Sequence, residues 1–400
     1  MIVRSRNAAQ HSTGVVVTSV GAVTASGTSV AELMDDLHRG RRRVTTRRIP
    51  LVATPVPAAL RAEGSTDREV RAAHVSAPLD LAGVVDGRTD RTLGRDSRLL
   101  LYATHTTGSG LAPHTDRVGV VVGTLGSGRN EYLAIHNGTG AGPGAVNPVW
   151  GPQAAYNAPA AQLSVHLGAR GPNLTLSCGV TAGLEALVTG ARQLNGSGCE
   201  AVVAAGLDTL SAAVPPTSAP GEPPHGEAAA VAVLEPAAKA ADRAVARVLG
   251  TGQATAALTD SDTEATVGEA LAEAAAEAAR RALGQAGRHR DEVGVAVTTS
   301  GGDTERAAEH AGLGAVFGAR LPVCDATWTT GRTGGADGML AVVVAAEVLA
   351  RGVVPPPPGG PPPRTPVPAA GPLALCLGVD RGGKATAVLL GGPSPEEDTA

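Results

Sequence analysis

The segment at residues 173–187, NLTLSCGVTAGLEAL, changes its hydrophobic period in the middle. Alternate positions are apolar up to Cys178, which is typical of a β-strand. From Val180 onward the apolar residues recur every three or four positions, the spacing of one helix face. Gly179 lies at the change of period. The segment therefore predicts a strand, a sharp turn and then a helix that continues to about Leu194.

A strand-to-helix turn of this kind places one side chain at a helix N-terminus, where it faces a buried pocket. The helix dipole at that position favours an anionic nucleophile such as a thiolate. In this chain the position is occupied by Val180, whose side chain has no reactive group. The turn thus has the shape of a reactive site without the nucleophile, and the functional interpretation follows from this.

The bulk composition excludes several classes of protein. The chain has 400 residues, 43% hydrophobic and 18% charged, with a net charge of −4, which favours a globular protein and gives no electrostatic case for nucleic acid or membrane binding. Its four cysteines are isolated, so neither a zinc site nor a disulfide framework is predicted. We see no signal peptide and no apolar run of membrane-spanning length, and we expect a cytoplasmic protein without metal or cofactor.

Alternation of strands and helices along the chain predicts an α/β fold with mainly parallel sheets covered by helices. The same rhythm occurs twice. We therefore expect two similar halves, residues 14–240 and 241–390, between disordered ends at residues 1–13 and 391–400. Residues 41–92 have no sustained period and are predicted to form loops, with the basic run Arg41–Arg43 as a solvated loop.

Four separated segments together resemble the β-ketoacyl synthases, and they occur in the same order as in that family. They are residues 15–41 (VVVTSVGAVTASGTSVAELMDDLHRGR), 162–194 (QLSVHLGARGPNLTLSCGVTAGLEALVTGARQL), 226–235 (GEAAAVAVLE) and 316–356 (VFGARLPVCDATWTTGRTGGADGMLAVVVAAEVLARGVVPP). The resemblance covers roughly residues 14–390. It implies the thiolase-like fold, with two βαβαβαββ halves in a five-layered α-β-α-β-α arrangement, and an obligate dimer.

Within this family the chain resembles the chain-length factors, or KSβ subunits, of bacterial type II polyketide synthases. The signature is Thr330-Gly331-Arg332, where a working condensing enzyme has a histidine after the glycine. The resemblance also places the nucleophile at Val180 and the usual lysine at Thr327. The first histidine should lie in residues 298–302, TTSGG, which contain none.

Claisen condensation needs a cysteine thiolate to hold the chain and two histidines to assist decarboxylation and stabilise the enolate. Since Val180, Thr327 and Arg332 cannot supply these groups, we expect no condensation by this chain itself. Most chain-length factors have glutamine at the nucleophile position, linked to a priming decarboxylation. Val180 cannot donate a hydrogen bond from its side chain. The substitution argues against a decarboxylase activity and hints at an atypical branch.

Two residues near the vestigial site have alternative interpretations. Cys178 precedes the nucleophile position by two residues and could be a displaced nucleophile, but the strand pattern points it into the core, where cysteines are inert. Arg332 is expected to pair with an acid such as Asp337 or Asp303, because an unpaired buried charge is costly. A role of Arg332 at the interface with a partner subunit is the other possibility.

The resemblance further implies residues that control chain length and contact the partner. Arg129, Tyr132 and His136 fall on the helix that projects into a tunnel shared with the catalytic subunit, and Tyr132 is the best single choice. The alternative is that these three residues merely lie on the surface of an amphipathic helix. Partner contacts are expected at Gln153, Tyr156 and Asn157, although core packing would explain Tyr156 equally well.

Three functions remain open at this point. The first is a non-catalytic chain-length factor that forms a heterodimer with a cysteine-bearing ketosynthase and shapes the tunnel for the growing acyl chain. Acyl carrier protein would then dock mainly on the ketosynthase. The second is an acyltransferase active through Cys178, and the third is a homodimeric acyl-binding protein.

Overall fold

A computed structural model describes residues 14–50, 67–108, 117–140, 144, 146–196, 198–211, 224–357 and 367–393. The predicted disordered segment 1–13 and residues 394–400 of the predicted tail lie outside these ranges. Within the described residues, no helix is both long and apolar enough to span a membrane.

The fold contains fifteen described strands. They are β1 (Val15–Val23), β2 (Thr45–Pro50), β3 (Asp67–Ala73), β4 (Val118–Gly123), β5 (Asn173–Leu176), β6 (Ala201–Asp208), β7 (His225–Gly226), β8 (Ala228–Pro236), β9 (Ala246–Thr255), β10 (Val293–Thr298), β11 (Val323–Asp325), β12 (Val353–Val354), β13 (Val367–Pro368), β14 (Leu373–Val379) and β15 (Lys384–Gly391).

Twelve α-helices are described between these strands. They are α1 (Val30–His38), α2 (Gly87–Asp90), α3 (Arg95–His105), α4 (Arg129–Gly140), α5 (Trp150–Gln153), α6 (Ala158–Leu167), α7 (Ala182–Gly196), α8 (Ala237–Ala240), α9 (Glu264–Ala286), α10 (Asp303–Phe317), α11 (Thr327–Thr330) and α12 (Asp337–Arg351).

Ten strands form one sheet in the order β11-β10-β14-β15-β9-β1-β8-β6-β4-β5. Each half of this sheet has three parallel strands at its outer end, and its last strand runs antiparallel to its first. The halves join where Val15–Val17 of β1 pair antiparallel with Ala246–Val248 of β9. The main elements follow β1-α3-β4-α6-β5-α7-β6-β8 and β9-α9-β10-α10-β11-α12-β14-β15, so each half is βαβαβαββ.

Three hydrophobic clusters separate five layers. Helices α3 and α6 cover the outer face of the first half, and α9 and α10 cover the outer face of the second. Helices α7 and α12 lie between the two halves and form the largest cluster with the inner faces of both. The predicted α/β class and the five-layered thiolase-like fold are therefore confirmed.

The two central helices cross at small residues. A Cβ on Gly183 of α7 would lie 2.5 Å from the backbone nitrogen of Met339 and 2.8 Å from the carbonyl oxygen of Gly335. On α12, a Cβ at Gly338 would approach the backbone nitrogen of Leu184 to 2.6 Å. Side chains at this crossing would force the helices apart, and with them the loops that precede both helices.

Residues 41–92, predicted to form loops and short pieces that cover the core, contain two paired strands. Strands β2 and β3 pair antiparallel there, and β3 continues parallel to β7. The basic run is an exposed loop, as predicted, and two of its side chains also make contacts: Arg43 donates to the buried Asp36 through Nε at 2.5 Å, and the Arg42 guanidinium lies 4.6 Å from the ring centroid of Trp328. The sequence prediction also missed β9, which joins the two halves.

Candidate functional site

A pocket of about 240 Å³ lies where the carboxyl ends of parallel strands from both halves meet. The segments that follow β4, β5, β6 and β10 converge there, together with β7 and the turn after α11. It is lined by Leu125, Gly126, Arg129, Val180, Asp208, Thr209, His225, Gly226, Gly301, Arg332, Thr333 and Gly334. The predicted positions Val180, Arg332 and Arg129 are thus brought together.

The predicted turn between β5 and α7 is confirmed, and we call residues 178–181 the elbow. Gly179 has φ = 70°, a left-handed conformation that favours glycine. The Thr181 hydroxyl donates to the Cys178 carbonyl at 2.8 Å and closes the turn. Half-buried Val180 lines the pocket, and its backbone N–H donates to Oδ2 of Asp380 at 3.2 Å. The elbow therefore has the geometry of a nucleophile turn, with an aliphatic side chain at its centre.

Residues 298–302 pack directly against this side chain. A Cβ on Gly301 would lie 3.2 Å from both methyl groups of Val180, so glycine fits where a larger side chain would press on the elbow. The preceding Ser300 has φ = 48°, the one non-glycine residue with positive φ among the residues described. This conformation is costly for a side-chain-bearing residue and needs support from its surroundings.

Buried Glu309 of α10 supplies that support. It accepts hydrogen bonds from the Thr299 hydroxyl at 2.7 Å, the Ser300 N–H at 3.0 Å and the Val379 N–H at 3.2 Å. Burial raises the pKa of Glu309 to about 8, because desolvation of the charged form outweighs these three donors. The loop that lacks the expected histidine is thus fixed by a carboxyl group behind it.

Thr327 lies behind the pocket rather than in its lining. Its N–H and its hydroxyl both donate to Oδ1 of Asp325, at 2.8 and 2.5 Å, and Ser300 donates to Oδ2 of Asp325 at 3.2 Å. Thr327 is 3% exposed. The position at which the resemblance places a lysine therefore carries a short, internally satisfied side chain.

Arg332 lies in the pocket wall. Its Nη1 donates to the carbonyl of Gly301 at 3.1 Å, and its Nη2 lies 3.4 Å from Nε2 of His225. Its backbone pairs with the segment around β7, since Arg332 N–H donates to Pro224 and Gly226 N–H donates to the Arg332 carbonyl. The Arg332 guanidinium therefore links the loop after β10 to β7.

Asp337, one of the expected partners of Arg332, forms its described hydrogen bonds with Thr333, in the turn before α12. Its Oδ1 accepts from the Thr333 N–H at 2.9 Å and from the Thr333 hydroxyl at 2.5 Å. Burial raises the pKa of Asp337 to about 7, while Arg332 opposes the rise electrostatically. Arg332 is therefore close enough for Asp337 to sense its charge.

Asp208 organises the floor of the pocket. It accepts from the Thr124 hydroxyl and from the N–H groups of Leu125, Gly126 and Gly335, at 2.6–2.9 Å. Complete burial raises the pKa of Asp208 to about 6. The carboxyl group thus takes up the backbone N–H groups of Leu125 and Gly126 in the glycine-rich loop at residues 123–128.

Residues 12–215 match the family described as β-ketoacyl synthase, N-terminal domain, and the match covers just over half of the 400 residues. The chain belongs to the β-ketoacyl synthase family. The 3-oxoacyl-[acyl-carrier-protein] synthase 2 of Vibrio harveyi is 35% identical over 96 residues. That match spans 24% of this chain and 23% of the Vibrio enzyme.

Solved structures of ketosynthases share the fold over almost the whole chain. A structure of the ketosynthase ApeO in complex with its chain length factor ApeC from Xenorhabdus doucetiae has a TM-score of 0.77 at 22% identity, covering 95% of this chain and 98% of that chain. The ishigamide ketosynthase/chain length factor gives 0.76 at 17% identity, with 94% and 98% covered. A β-ketoacyl synthase of Burkholderia phymatum gives 0.73 at 21% identity, with 94% and 99% covered.

In this member of the β-ketoacyl synthase family, Cys178 is half-buried at the elbow but does not line the pocket. Burial, then the charge of Glu185, raises the pKa of its thiol. A raised pKa disfavours the thiolate that would act as a nucleophile. The strand pattern pointed Cys178 and Leu174 into the core; instead β5 is an edge strand, and Leu174 is 39% exposed.

The three residues predicted for the tunnel take different positions on α4. Arg129 reaches the pocket. Tyr132 is 60% exposed and stacks on His136, with ring centroids 6.4 Å apart and an interplanar angle of 8°. Helical spacing thus brings Tyr132 and His136 together on the surface of the chain, away from the pocket lining. Their role in a tunnel stays a prediction.

The predicted partner contacts also divide. Gln153 is buried and accepts hydrogen bonds from Ser97 at 3.1 Å and from the Gly94 N–H at 3.4 Å, so its described contacts are internal. Tyr156 is 51% exposed, with its hydroxyl 3.4 Å from the carbonyl of Leu125, and Asn157 is exposed beside it. Interface roles for all three stay predictions.

Sequence reasoning missed four residues that shape the site: Asp208, His225, Glu309 and Asp380. Asp380 had one local signal, because the sequence Asp-Arg-Gly-Gly between two apolar strands is typical of a turn. The other three are recognised only when distant segments are brought together. None of the four places a nucleophile in the pocket, whose described lining contains no cysteine.

Proposed function

We propose that this chain is a non-catalytic chain-length factor that pairs with a cysteine-bearing ketosynthase in polyketide biosynthesis. The observation that carries the proposal is Val180 at the centre of an intact nucleophile elbow. A thiolate is required to hold an acyl chain as a thioester, and valine cannot form one. The chain therefore keeps the architecture of a condensing enzyme and leaves the reaction to its partner.

The remainder of the site supports this proposal. Arg332 stands where the resemblance places the second histidine, and it is engaged with Gly301 and His225. Thr327 is sequestered by Asp325. A glycine at position 301 packs on Val180 where the loop lacks a histidine. Several independent positions have lost condensation chemistry while the loops that carry them remain hydrogen-bonded.

The surface around β5 supports a partner on this side of the molecule. β5 pairs with β4 along one edge, so its other edge ends the sheet. Beside it, Leu174 is 39% exposed, Tyr156 51% and Val165 of α6 80%. An exposed strand edge with apolar neighbours is a template for pairing with another chain. We propose that the ketosynthase covers this surface.

In the proposed complex, Tyr132 and His136 come to lie against the partner and border the tunnel for the growing acyl chain. A stacked pair of rings would stop elongation by steric exclusion, because packed interiors resist expansion. Acyl carrier protein would deliver extender units mainly through the ketosynthase. We propose that the complex works in the cytoplasm and needs no cofactor in this subunit.

The test is to co-express the chain with the ketosynthase encoded beside it, purify the complex and supply malonyl-loaded acyl carrier protein. Replacing the active cysteine of the ketosynthase by alanine should abolish product. The matched change Cys178→Ala in this chain should leave the rate within about twofold. Loss of product with Cys178→Ala in an intact complex would instead support the acyltransferase alternative, and a stable homodimer that excludes the ketosynthase would support the acyl-binding alternative.

The tunnel assignment has a separate test. Tyr132→Ala should shift the product distribution toward longer chains, since the blocking ring is removed, and Tyr132→Phe should preserve the distribution. Product lengths are read by mass spectrometry of the released chains. An unchanged distribution in Tyr132→Ala would contradict the assignment without affecting the non-catalytic role.

A further inference from the structure

The elbow is contacted by a hairpin from the other half of the chain. Residues 380–384, Asp-Arg-Gly-Gly-Lys, connect β14 to β15, and Asp380 N–H donates to the carbonyl of Lys384 at 2.8 Å. We call these residues the 380 hairpin. Asp380 Oδ1 accepts from Gly382 N–H at 2.8 Å, while Oδ2 accepts from Val180 N–H at 3.2 Å. One carboxylate therefore joins the hairpin to the elbow.

The contact depends on the glycine of the elbow. An added Cβ at Gly179 would overlap the Asp380 carboxylate. The absence of a side chain at position 179 thus allows the left-handed turn and also leaves room for the acid. The sequence places these residues two hundred positions apart, and the close approach arises because β14 ends beside the elbow.

The 380 hairpin is held from both sides. Arg381 forms a two-pronged ion pair with Glu264 at the start of α9, with Nη1 3.0 Å from Oε1. Lys384 Nζ lies 3.1 Å from Oε2 of the buried Glu185 on α7. These two ion pairs, which join the residues after Asp380 to α9 and α7, oppose rotation of the hairpin away from the elbow. Its carboxylate is therefore positioned by the fold.

The N–H at position 180 is the donor that an anion at the elbow would use. It lies two residues before the start of α7, near the N-terminus where the helix dipole favours negative charge. In nucleophile elbows such backbone donors stabilise a thiolate or the oxyanion formed when a thioester is attacked. Here the donor is already used by an anionic side chain of the same chain.

We propose that Asp380 is an internal anion that fills the charge-stabilising position of the elbow and excludes an anionic nucleophile or an acyl oxyanion from it. Two features then prevent nucleophilic catalysis at this site. Valine supplies no sulfur, and Asp380 occupies the backbone N–H that would stabilise an anion. A cysteine restored at position 180 would remain a thiol and would not accept an acyl group from a thioester. The biological significance of this inference rests on the proposed non-catalytic function, whereas the electrostatic effect of Asp380 does not depend on it.

The 380 hairpin acts on the neighbouring Cys178 in two opposite ways, and the contribution of Lys384 is larger than that of Asp380. After burial and Glu185, the Asp380 carboxylate also raises the pKa of the Cys178 thiol, while Lys384 and a hydrogen bond to Thr181 lower it. Positively charged groups in the pocket wall would favour a thiolate at position 180 and oppose Asp380. The charged or titratable groups around position 180 are Arg129, Glu185, Asp208, His225, Arg332, Asp380 and Lys384. A comparison that changes Asp380 alone holds the others constant.

The test measures alkylation of a cysteine at position 180 by iodoacetamide as a function of pH, in the full chain co-purified with its ketosynthase. In this reaction the thiolate sulfur displaces iodide from the reagent carbon. Peptide mass spectrometry reports the modification of the 180 peptide separately from the partner's cysteines. The variants are Val180→Cys, Val180→Cys with Asp380→Ser, and Val180→Cys with Asp303→Asn, which removes an exposed carboxylate on a different helix as a control.

We expect the single variant to titrate at or above the ordinary thiol pKa of about 8.5. Adding Asp380→Ser should lower that pKa by about one unit or more and accelerate alkylation at pH 7 about tenfold, while Asp303→Asn leaves both unchanged. A thiol pKa below about 7.5 in the Val180→Cys variant would overturn the proposal, because the thiolate would then form easily while Asp380 is still present. So would equal rates with and without Asp380. Neither result depends on product formation, so the proposed chain-length role is tested separately.

Discussion

Each half of the molecule contains the same unit, an edge strand followed by a turn and a central helix, but the surroundings of the two units differ. In the first half, edge strand β5 leads through the elbow to central helix α7. In the second, edge strand β11 leads through α11 and the turn at Gly331 to central helix α12. The unit at β5 leaves apolar side chains exposed, whereas the unit at β11 is covered by its own chain.

In the unit at β11, the cover lies on α11, the short helix that follows the strand, and it comes from the basic segment after α1. Thr329 exchanges hydrogen bonds with it, since Arg43 N–H donates to the Thr329 carbonyl at 3.1 Å and the Thr329 hydroxyl donates to the Arg41 carbonyl at 2.8 Å. Arg42 lies over the ring of Trp328. The pseudo-symmetric edges thus differ in what completes them. We infer that the chain itself packs on the unit at β11, through α11, and that a partner packs on the unit at β5.

The largest effect is expected at the uncovered edge. Leu174→Arg places a charge on β5 and should weaken association with the ketosynthase about 100-fold or more, because a charge buried at an interface without a partner is strongly unfavourable. Val367→Arg is the control, since Val367 is comparably exposed and belongs to β13, which pairs with β12 in a separate two-stranded sheet. Association is measured by analytical ultracentrifugation. Equal affinity of both variants would show that β5 is not the partner edge.

An added methyl group should destabilise the protein at the crossing of α7 and α12 but not on the outer helix α9. Gly183→Ala places a methyl group against the backbone of α12 and should cost about 1–3 kcal/mol by overpacking. Gly284→Ala in α9 meets no atom within 4 Å and should stabilise the protein by up to about 1 kcal/mol through helix propensity. Thermal denaturation of the complex compares the two. A neutral Gly183→Ala would mean that the halves can shift relative to each other.

The loop after β10 should make stability pH-dependent. The pKa of Glu309 is about 8 in the folded chain and about 4.5 for a solvated glutamate, so between these pH values the folded state holds a proton that the unfolded state has lost. Stability must therefore fall as pH rises through this window, by up to about 1.4 kcal/mol per pH unit. Glu309→Gln should flatten this part of the profile.

Denaturation from pH 5.5 to 7.5 measures that slope. Glu305→Gln is the matched control on the same helix, because Glu305 is a half-buried acid whose removal should leave the slope unchanged. A slope that persists in Glu309→Gln would assign the proton uptake to another buried acid. Asp337 and Asp208, with pKa values of about 7 and 6, would be the next to examine.

The smallest effect is expected at α11, the helix after β11 that the basic segment contacts. Trp328→Ala removes the contact with Arg42 and should cost about 1 kcal/mol, the scale of a partly exposed cation–π pair with some packing. Arg39→Met, which removes a surface ion pair with Asp35, should change stability by less than about 0.5 kcal/mol. Both variants should keep full affinity for the ketosynthase. Loss of affinity in Trp328→Ala would place the partner on β11 as well and remove the contrast between the edges.

Much of the fold could be predicted from period alone. The strand at Val15, the buried strands β4, β6 and β10, and the long helix from Glu264 all appear where apolar periodicity places them. The elbow was also predicted, because a change of period on either side of a glycine is a local signal. Glycine-rich β9 was missed, since it has little apolar alternation.

Tertiary packing explains β9. A Cβ on Gly252 would collide with the carbonyl of Ala278, and one on Gly250 with that of Ala282, so the strand needs glycine where α9 lies across it. The same applies to the basic run, whose arginines look solvated until Asp36 and Trp328 are brought to them. Contacts between distant segments decided both cases, and local propensity does not report such contacts.

The sequence by itself determined that position 180 carries no nucleophile, because identity at one position settles which chemistry a side chain can perform. It also determined the order of strands and helices, since periodicity is a property of neighbouring residues. Only the tertiary structure decided that Asp380 reaches the elbow, that Glu309 holds the loop behind it, and that β5 ends the sheet formed by the described strands. Hydrogen bonding and burial depend on distances between residues far apart in sequence, and folding sets those distances.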